Sequence, residues 1–526
     1  MLAFLRQTME RRREFLRFEA KPSESAESMD ISEEFLEIVQ LSFDAKELSK
    51  IGEPSKEKNK MINELQIRMD ILLHNIDIQA DAKFDDVVVL AVAFYNWGLV
   101  YVNSKEDYEL HIALKFFETC LHLLRNKELD RKAILTSIGA LNEINSIFVK
   151  LEKNNYIFHT SKSPMELYLE YTKEDNYLDP IHIPIIVGIK EKESSPRIIL
   201  EELHFKSLCD IANQYLIQPE NKHDGFITYM YNLLKKHLSE TISEGRQFRE
   251  DCFNWVSTLF DISRYFLLNN RFAEARNHLA TADYVIQRFS EETLKTINQQ
   301  NEVSRLRFLY LSDSYDYVCG VSARSWGTYG VLLLRFWRER FLQSKDKNCD
   351  VDNSKLGIKS WEDSSLLIFS DVEKETECIT NQITHTRVLN LADAKSVFTK
   401  ILNHLDAAKE YFTADTDIEN YAKIMLDVSA AYKYLAGFEQ GRDVQLKLHK
   451  RRVEFLEDVC KKFHTIIDTE FVTYKRVWCE VVIACSTVMD LMLEETYHDE
   501  SKIMSKEVDR YAKLILGNID LYLHVA

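Results

Sequence analysis

Gly320-Val-Ser322-Ala-Arg324 is the nearest this chain comes to the Gly-x-Ser-x-Gly turn, in which a strained strand-to-helix bend exposes a serine nucleophile. Arg324 replaces the second glycine and the surrounding apolar spacing is helical, so Ser322 is an ordinary helix residue on this reading. Metal-dependent hydrolysis would call for two imidazoles one helical turn apart with a carboxylate between them. No His-Glu-x-x-His pattern occurs. Neither glycine-rich phosphate cradle is present, whether the P-loop or Gly-x-Gly-x-x-Gly. Asp85-Asp86 lacks the second acidic cluster of a metal-diphosphate site and reads as a solvated helix start, favoured by the helix dipole. The expectation is a protein without catalytic residues, metal or cofactor, and no small-molecule substrate is expected.

One charged cluster remains, Lys447-Leu-His-Lys450-Arg451-Arg452, followed by Lys461-Lys462. Such a run serves a nuclear-localisation or phosphate-binding role in some chains. The reading preferred here is a solvated helix face, whose long stems cover Val453, Phe455 and Leu456 and whose charges pair with Glu454 or Glu457. The net charge of −17 disfavours nucleic acid as the main partner and favours a basic protein surface. Nine cysteines without a Cys-x-x-Cys pair argue against a zinc module, and their odd number argues against a disulfide framework. A reducing compartment, cytosol or nucleus, is expected. No apolar run approaches the roughly 18 residues that span a bilayer, so no membrane insertion is expected. The first eighteen residues mix Leu2, Phe4 and Leu5 with five arginines as an import presequence does, but Glu10 and Glu14 sit among them and weigh against it.

The elements that carry these residues are helices. Only 13 glycines and 7 prolines occur in 526 residues, too few for the turns of a sheet protein, and no proline follows Pro219. From Leu259 to Ala282 the chain spaces its residues as a tetratricopeptide-type helical hairpin does. Leu259, Ser263 and Phe266 share one helix face, Asn269-Asn270-Arg271 makes the turn, and Phe272, Ala275, Leu279 and Ala282 face back. The small residues let two helices approach closely while the large ones fill the gap. Gly98 and Tyr101, opposed by Ala113, form a second and more degenerate unit, and Val428, Ser429, Tyr432 and Phe438 repeat the spacing of Ile262, Ser263, Phe266 and Phe272. An all-α stack of hairpins is therefore predicted.

The organisation read from these patterns is an N-terminal helix and polar lead-in over 1–57, N-terminal hairpins over 58–175 and a proline-containing linker over 176–200. Central repeats follow over 201–343, then an exposed loop over 344–362 and C-terminal hairpins over 363–526. Pro164, Pro180, Pro184 and Pro196 place the break between two helical halves, because helix does not persist through such a run.

In several segments, in order, the chain resembles the kinesin-family-binding (KIF-binding) proteins. These are Cys120-Leu-His-Leu-Leu-Arg125, Leu167-Tyr-Leu-Glu-Tyr171 with Leu178-Asp179-Pro180, Leu208 to Tyr215, Asn254-Trp255 through Arg271-Phe-Ala-Glu-Ala-Arg276 to Ala282, Ala407-Ala-Lys-Glu-Tyr-Phe412, and Lys447-Leu-His-Lys-Arg-Arg-Val-Glu-Phe-Leu-Glu457. The resemblance runs from about Val88 to Leu493 and is slight before Phe84. It implies a right-handed α-solenoid in two halves joined by a linker, without catalysis. It also implies binding to kinesin motor domains that holds them off microtubules, and so control of mitochondrial and vesicle transport in axons, from a cytoplasmic, cytoskeleton-associated location that extends to the periphery of mitochondria. Carried over by segment, the positions facing the motor are Asp210, Asn213, His237 and Asp261, while Trp255 and Phe266 are packing residues. Relatives are expected to continue with further helices past Ala526. An acidic chain suits a motor's basic tubulin-binding face. Two other classes stay open: a scaffold or co-chaperone that captures peptide tails, against which Phe260 and Arg264 count, and an all-α enzyme whose site is assembled from separated helices.

Overall fold

The computed structural model describes residues 29–50, 56–78, 82–102, 104, 106–151, 162–173, 177–189, 195–215, 224–243, 245, 247–248, 252–297, 302–346, 366–380, 383, 387–463, 472–497 and 506–525. Apart from two short 3-10 turns, every regular element among them is an α-helix. The chain divides into two compact units, Met1–Lys222 and His223–Ala526.

The first unit contains α1 (Glu33–Lys50), α2 (Lys56–Ile78), α3 (Phe84–Tyr101), α4 (Asp107–Leu123), α5 (Ile134–Lys150), α6 (Lys162–Tyr171), the single turn α7 (Ile183–Ile186) and α8 (Pro196–Tyr215). Its centre is α3, which packs against α1, α2, α4 and α5. A helix surrounded on all sides must be apolar on all sides, and Val88, Val89, Leu90, Ala91, Phe94 and Trp97 are buried in turn around it. This corrects the reading that no apolar run reaches membrane-spanning length: α3 is long and apolar enough by that test, but it is largely buried as a core helix. Asp86 is not solvated either. It lies buried at the start of α3, where its carboxylate accepts the Ser32 backbone N–H and hydroxyl, both at 2.7 Å, and so holds the N-terminus of α1. Asp85 accepts from Lys132 at 2.6 Å.

The sequence placed a linker at 176–200, but the units part between Lys222 and His223. The proline-rich stretch belongs to the first unit because Ile181, Ile183 and Val187 join its core and the Ile181 N–H bonds the Arg131 carbonyl at 2.8 Å. Proline does not exclude helix at a first turn, where its missing N–H has no partner to lose, and both α7 and α8 begin with one there.

The second unit contains α9 (Asp224–Ser243), α10 (Cys252–Leu268), α11 (Phe272–Glu292), the long α12 (Glu302–Asp346), α13 (Glu373–Thr380), α14 (Leu391–Tyr411), α15 (Ile418–Ala436), α16 (Arg442–Phe463), α17 (Val472–Tyr497) and α18 (Lys506–Val525). Helices pack as pairs: α10 with α11, α12 with α14, α15 with α16, and α17 with α18. The first members of these pairs also touch one another in the order α10, α12, α15, α17, which makes a continuous row. Residues 344–346, read as loop, finish α12; the rest of that loop, like the N-terminal helix of 1–18, lies outside the described residues.

Candidate partner-binding faces

The hairpin residues lie where close helix approach requires them. Leu259, Phe266, Ala275, Leu279 and Ala282 have no exposed surface, and Ser263 and Phe272 are buried beside them. Between α10 and α11, Asn270 adopts a left-handed φ of 58°, a conformation that asparagine tolerates better than most residues, and Arg271 lies 4.4 Å above the Phe266 ring. In the first unit, Gly98 of α3 faces Phe117 of α4 so closely that a Cβ would fall 2.6 Å from that ring. Ala113 is fully buried, and half-buried Tyr101 stacks on Phe116 with centroids 6.2 Å apart. Ser429 lies in the same position of its own hairpin and is fully buried, as Ser263 is.

The four positions proposed to face a partner are not all surface residues. Asp210, on α8 of the first unit, is only 7% exposed and offers a partner little area. Asn213 follows on the same helix, with its side chain outside the described residues. His237 on α9 and Asp261 on α10, both half-buried, belong to the second unit. Burial pushes the Asp261 carboxyl up to about 7, against the opposing pull of Arg264.

The basic run Lys447 to Arg452 divides by helix face. Arg451 pairs with Glu454 at 2.8 Å and Lys450 with Glu507 at 2.7 Å, as a solvated face would. Arg452 turns inward instead. Its guanidinium is fully buried, donates from Nε to Ser429 Oγ at 2.8 Å and ion-pairs with Glu480. His449, beside it, is held by burial at about 4, well below the ordinary imidazole value. Ser322 is likewise engaged structurally, donating to Asp283, whose other carboxylate oxygen accepts the Trp326 indole N–H at 2.8 Å. Burial raises Asp283 to about 6.

Sequence reasoning missed one feature of the second unit. Residues 366–380 form a strap across α11. The Leu367 N–H donates to Glu274 at 3.0 Å, the Phe369 N–H to Asn277 Oδ1 at 2.7 Å, Tyr231 of α9 to the Ile368 carbonyl at 2.5 Å, and Arg276 to the Thr380 carbonyl at 2.7 Å. The Phe369 ring is buried among Tyr231, Trp255 and His278, at centroid distances of 5.3, 5.8 and 5.0 Å. No periodicity marks an extended segment that bonds to polar residues of a neighbouring helix.

Packed helix pairs, with no group of three or more His, Cys, Asp or Glu able to hold a metal among the described residues, define an all-α protein whose conspicuous features are its packed faces. Residues 253–524 match the family described as KIF-1 binding protein C terminal, and the chain belongs to that family. It is similar to proteins named KIF-binding protein from Drosophila melanogaster, at 25% identity over 77% of this chain and 65% of the relative. The Danio rerio protein of that name is 24% identical over 71% of this chain and 58% of the relative, and the Homo sapiens protein 23% identical over 83% and 69%. The chain thus spans less than two thirds of the length of the first two.

Proposed function

We propose that this chain is a non-enzymatic regulator that binds kinesin motor domains and controls their attachment to microtubules, and through it the transport of mitochondria and vesicles. A cytoplasmic, cytoskeleton-associated location and a role in axons belong to the same reading, as does a right-handed solenoid of tetratricopeptide-like hairpins in two halves. Membership of a family whose relatives are named for KIF binding is the observation that carries it. Two features support it. The continuous row α10, α12, α15, α17 is the arrangement by which stacked hairpins present an extended face to a protein partner. The net charge of −17 complements a motor surface that meets acidic tubulin, though charge mainly steers encounter and affinity must come from packed apolar contacts.

Co-sedimentation of microtubules with purified motor domains, with this chain in excess at two salt concentrations, tests the reading. Motors released to the supernatant at low salt, and less so at high salt, are expected. Asp261→Lys should weaken release. No release of any motor in a broad panel would leave a helical scaffold for another protein client.

A further inference from the structure

We propose that the outer face of α18 is a self-association surface, on which a second copy of this chain docks with the two helices antiparallel. α18 is apolar over more of its circumference than its own unit covers. Val508 and Tyr511 are buried, and Leu514, Ile515 and Leu521 pack on the core shared with α16 and α17. Beside that buried side, Leu516, Ile519 and Leu523 are 63%, 38% and 63% exposed. Positions i, i+3 and i+7 of a helix fall in one stripe, so these three form a continuous apolar strip. Among the described residues no other helix exposes as many as three large apolar side chains.

The charges of the helix divide in the same way. Glu507 and Arg510 reach back to α16, where they pair with Lys450 at 2.7 Å and Glu457 at 2.5 Å. Lys513 and Asp520 are exposed, border the strip and, among the described residues, have no ion-pair partner. They stand about 10 Å apart along the axis, so they are not the one-turn neighbours that pair within a helix. Asp509, one turn before Lys513, is exposed as well and makes no ion pair with it.

Self-complementarity selects the occupant. A two-fold axis beside Leu516 sets Leu516 against its own copy. It also brings Lys513, on one side of that leucine, level with Asp520 of the second copy. Symmetry repeats the contact, so two Lys–Asp pairs flank one Leu–Leu contact. A parallel arrangement would instead set lysine beside lysine and aspartate beside aspartate. Ile519 and Leu523 widen the apolar centre. Exposed ion pairs add little affinity, so the charges fix direction and register while burial of the strip supplies the attraction. A single crossing of two helices is a small interface, which makes the dimer weak and dependent on concentration. Such association goes beyond the kinesin reading and is independent of it.

Sedimentation equilibrium of the full chain, from low to several hundred micromolar, tests it. A monomer–dimer equilibrium is expected. Lys513→Asp and Asp520→Lys should each weaken dimerisation roughly tenfold, because symmetry counts every like-charge contact twice. Lys513→Asp/Asp520→Lys restores opposite charges and should return to within about twofold of the parent. Leu516→Glu should leave a monomer. All these side chains are exposed, so the variants should keep the parent's circular dichroism. A chain that stays monomeric throughout would overturn the second copy as occupant. Dimerisation unchanged by the single reversals, or not rescued in the double variant, would put the contact on another face or in another register and overturn the proposal.

Discussion

The rings of Phe369 and His278 meet edge to face, with centroids 5.0 Å apart and planes at 69°. That contact seats the strap of residues 366–380 on α11, and backbone N–H groups on either side of it are bonded to Glu274 and Asn277. Phe369→Ala would remove a fully buried ring while the surrounding Tyr231 and Trp255 collapse only in part. A loss of about 3–5 kcal/mol is expected for such a truncation, read by chemical denaturation. A loss near zero would mean that the strap is not seated in solution.

His278 supplies a second test. Burial holds its imidazole at about 3, far below the ordinary 6.5. Its Nδ1 lies 2.9 Å from the Glu274 carbonyl, and its Nε2 has no partner to receive a new proton's hydrogen bond. A depressed histidine is neutral when folded but binds a proton when unfolded, so its contribution falls away as pH drops from 6.5 toward 3. His278→Leu lacks that loss. The stability of this variant relative to the parent should therefore rise as pH falls through that window and stay level above it. A constant difference from pH 8 to pH 4 would contradict the neutral buried imidazole.

Asp283 gives the opposite sign. Its carboxyl is raised from 3.8 to about 6 by burial, despite bonds from Ser322 and Trp326 that favour the anion. The folded state then holds the proton more tightly than the unfolded one, and this group's contribution declines as pH rises from 3.8 through 6. Asp283→Asn keeps an acceptor and cannot ionise. Urea denaturation at pH 4, 5, 6 and 7 should show the variant gaining on the parent with rising pH; a difference that runs the other way would mean the carboxylate is stabilised as an anion.

The hairpins were legible because their signal is local: alternating small and large residues on one face, as at Ser263 and Phe266 or Ala275 and Leu279, admit few arrangements other than close helix approach. Boundaries were less legible. Pro184 and Pro196 look like breakers, yet each fits a helical first turn, and the two compact units part later, after Lys222. Charged residues were the hardest to place. Arg452 sits in a run indistinguishable from a solvated face, and what buries it is Glu480, 28 residues away on α17. Asp86 is likewise buried through a remote neighbour, Ser32, that local periodicity does not reveal.

Two glycines of helical backbone should respond oppositely to alanine. At Gly98 the new methyl would lie 2.6 Å from Phe117 Cε1, in a core with no room for it, so Gly98→Ala should cost about 1–3 kcal/mol. At Gly517 of α18 nothing lies within 4 Å of the new atom, so Gly517→Ala should stabilise by up to about 1 kcal/mol through helix propensity alone. Thermal melts of the two variants side by side would separate packing from propensity, and equal shifts would deny the close approach of α3 and α4.

The ion pair of Arg452 and Glu480 offers the sharpest contrast between breaking an interaction and replacing it. Arg452 has no exposed surface, and its Nε is committed to Ser429 at 2.8 Å. Glu480→Ala leaves that guanidinium buried without its counter-charge, which should destabilise by about 3–5 kcal/mol. Glu480 is 19% exposed, so water reaching the site places the loss toward the low end of that range. Arg452→Met/Glu480→Leu removes both charges and fills similar volume, so it should recover most of that stability, because desolvating the pair offsets much of its attraction. Denaturant midpoints of the single and double variants decide it. A double variant as unstable as Glu480→Ala would mean that Ser429 and the packing of α15 against α16 depend on the guanidinium itself.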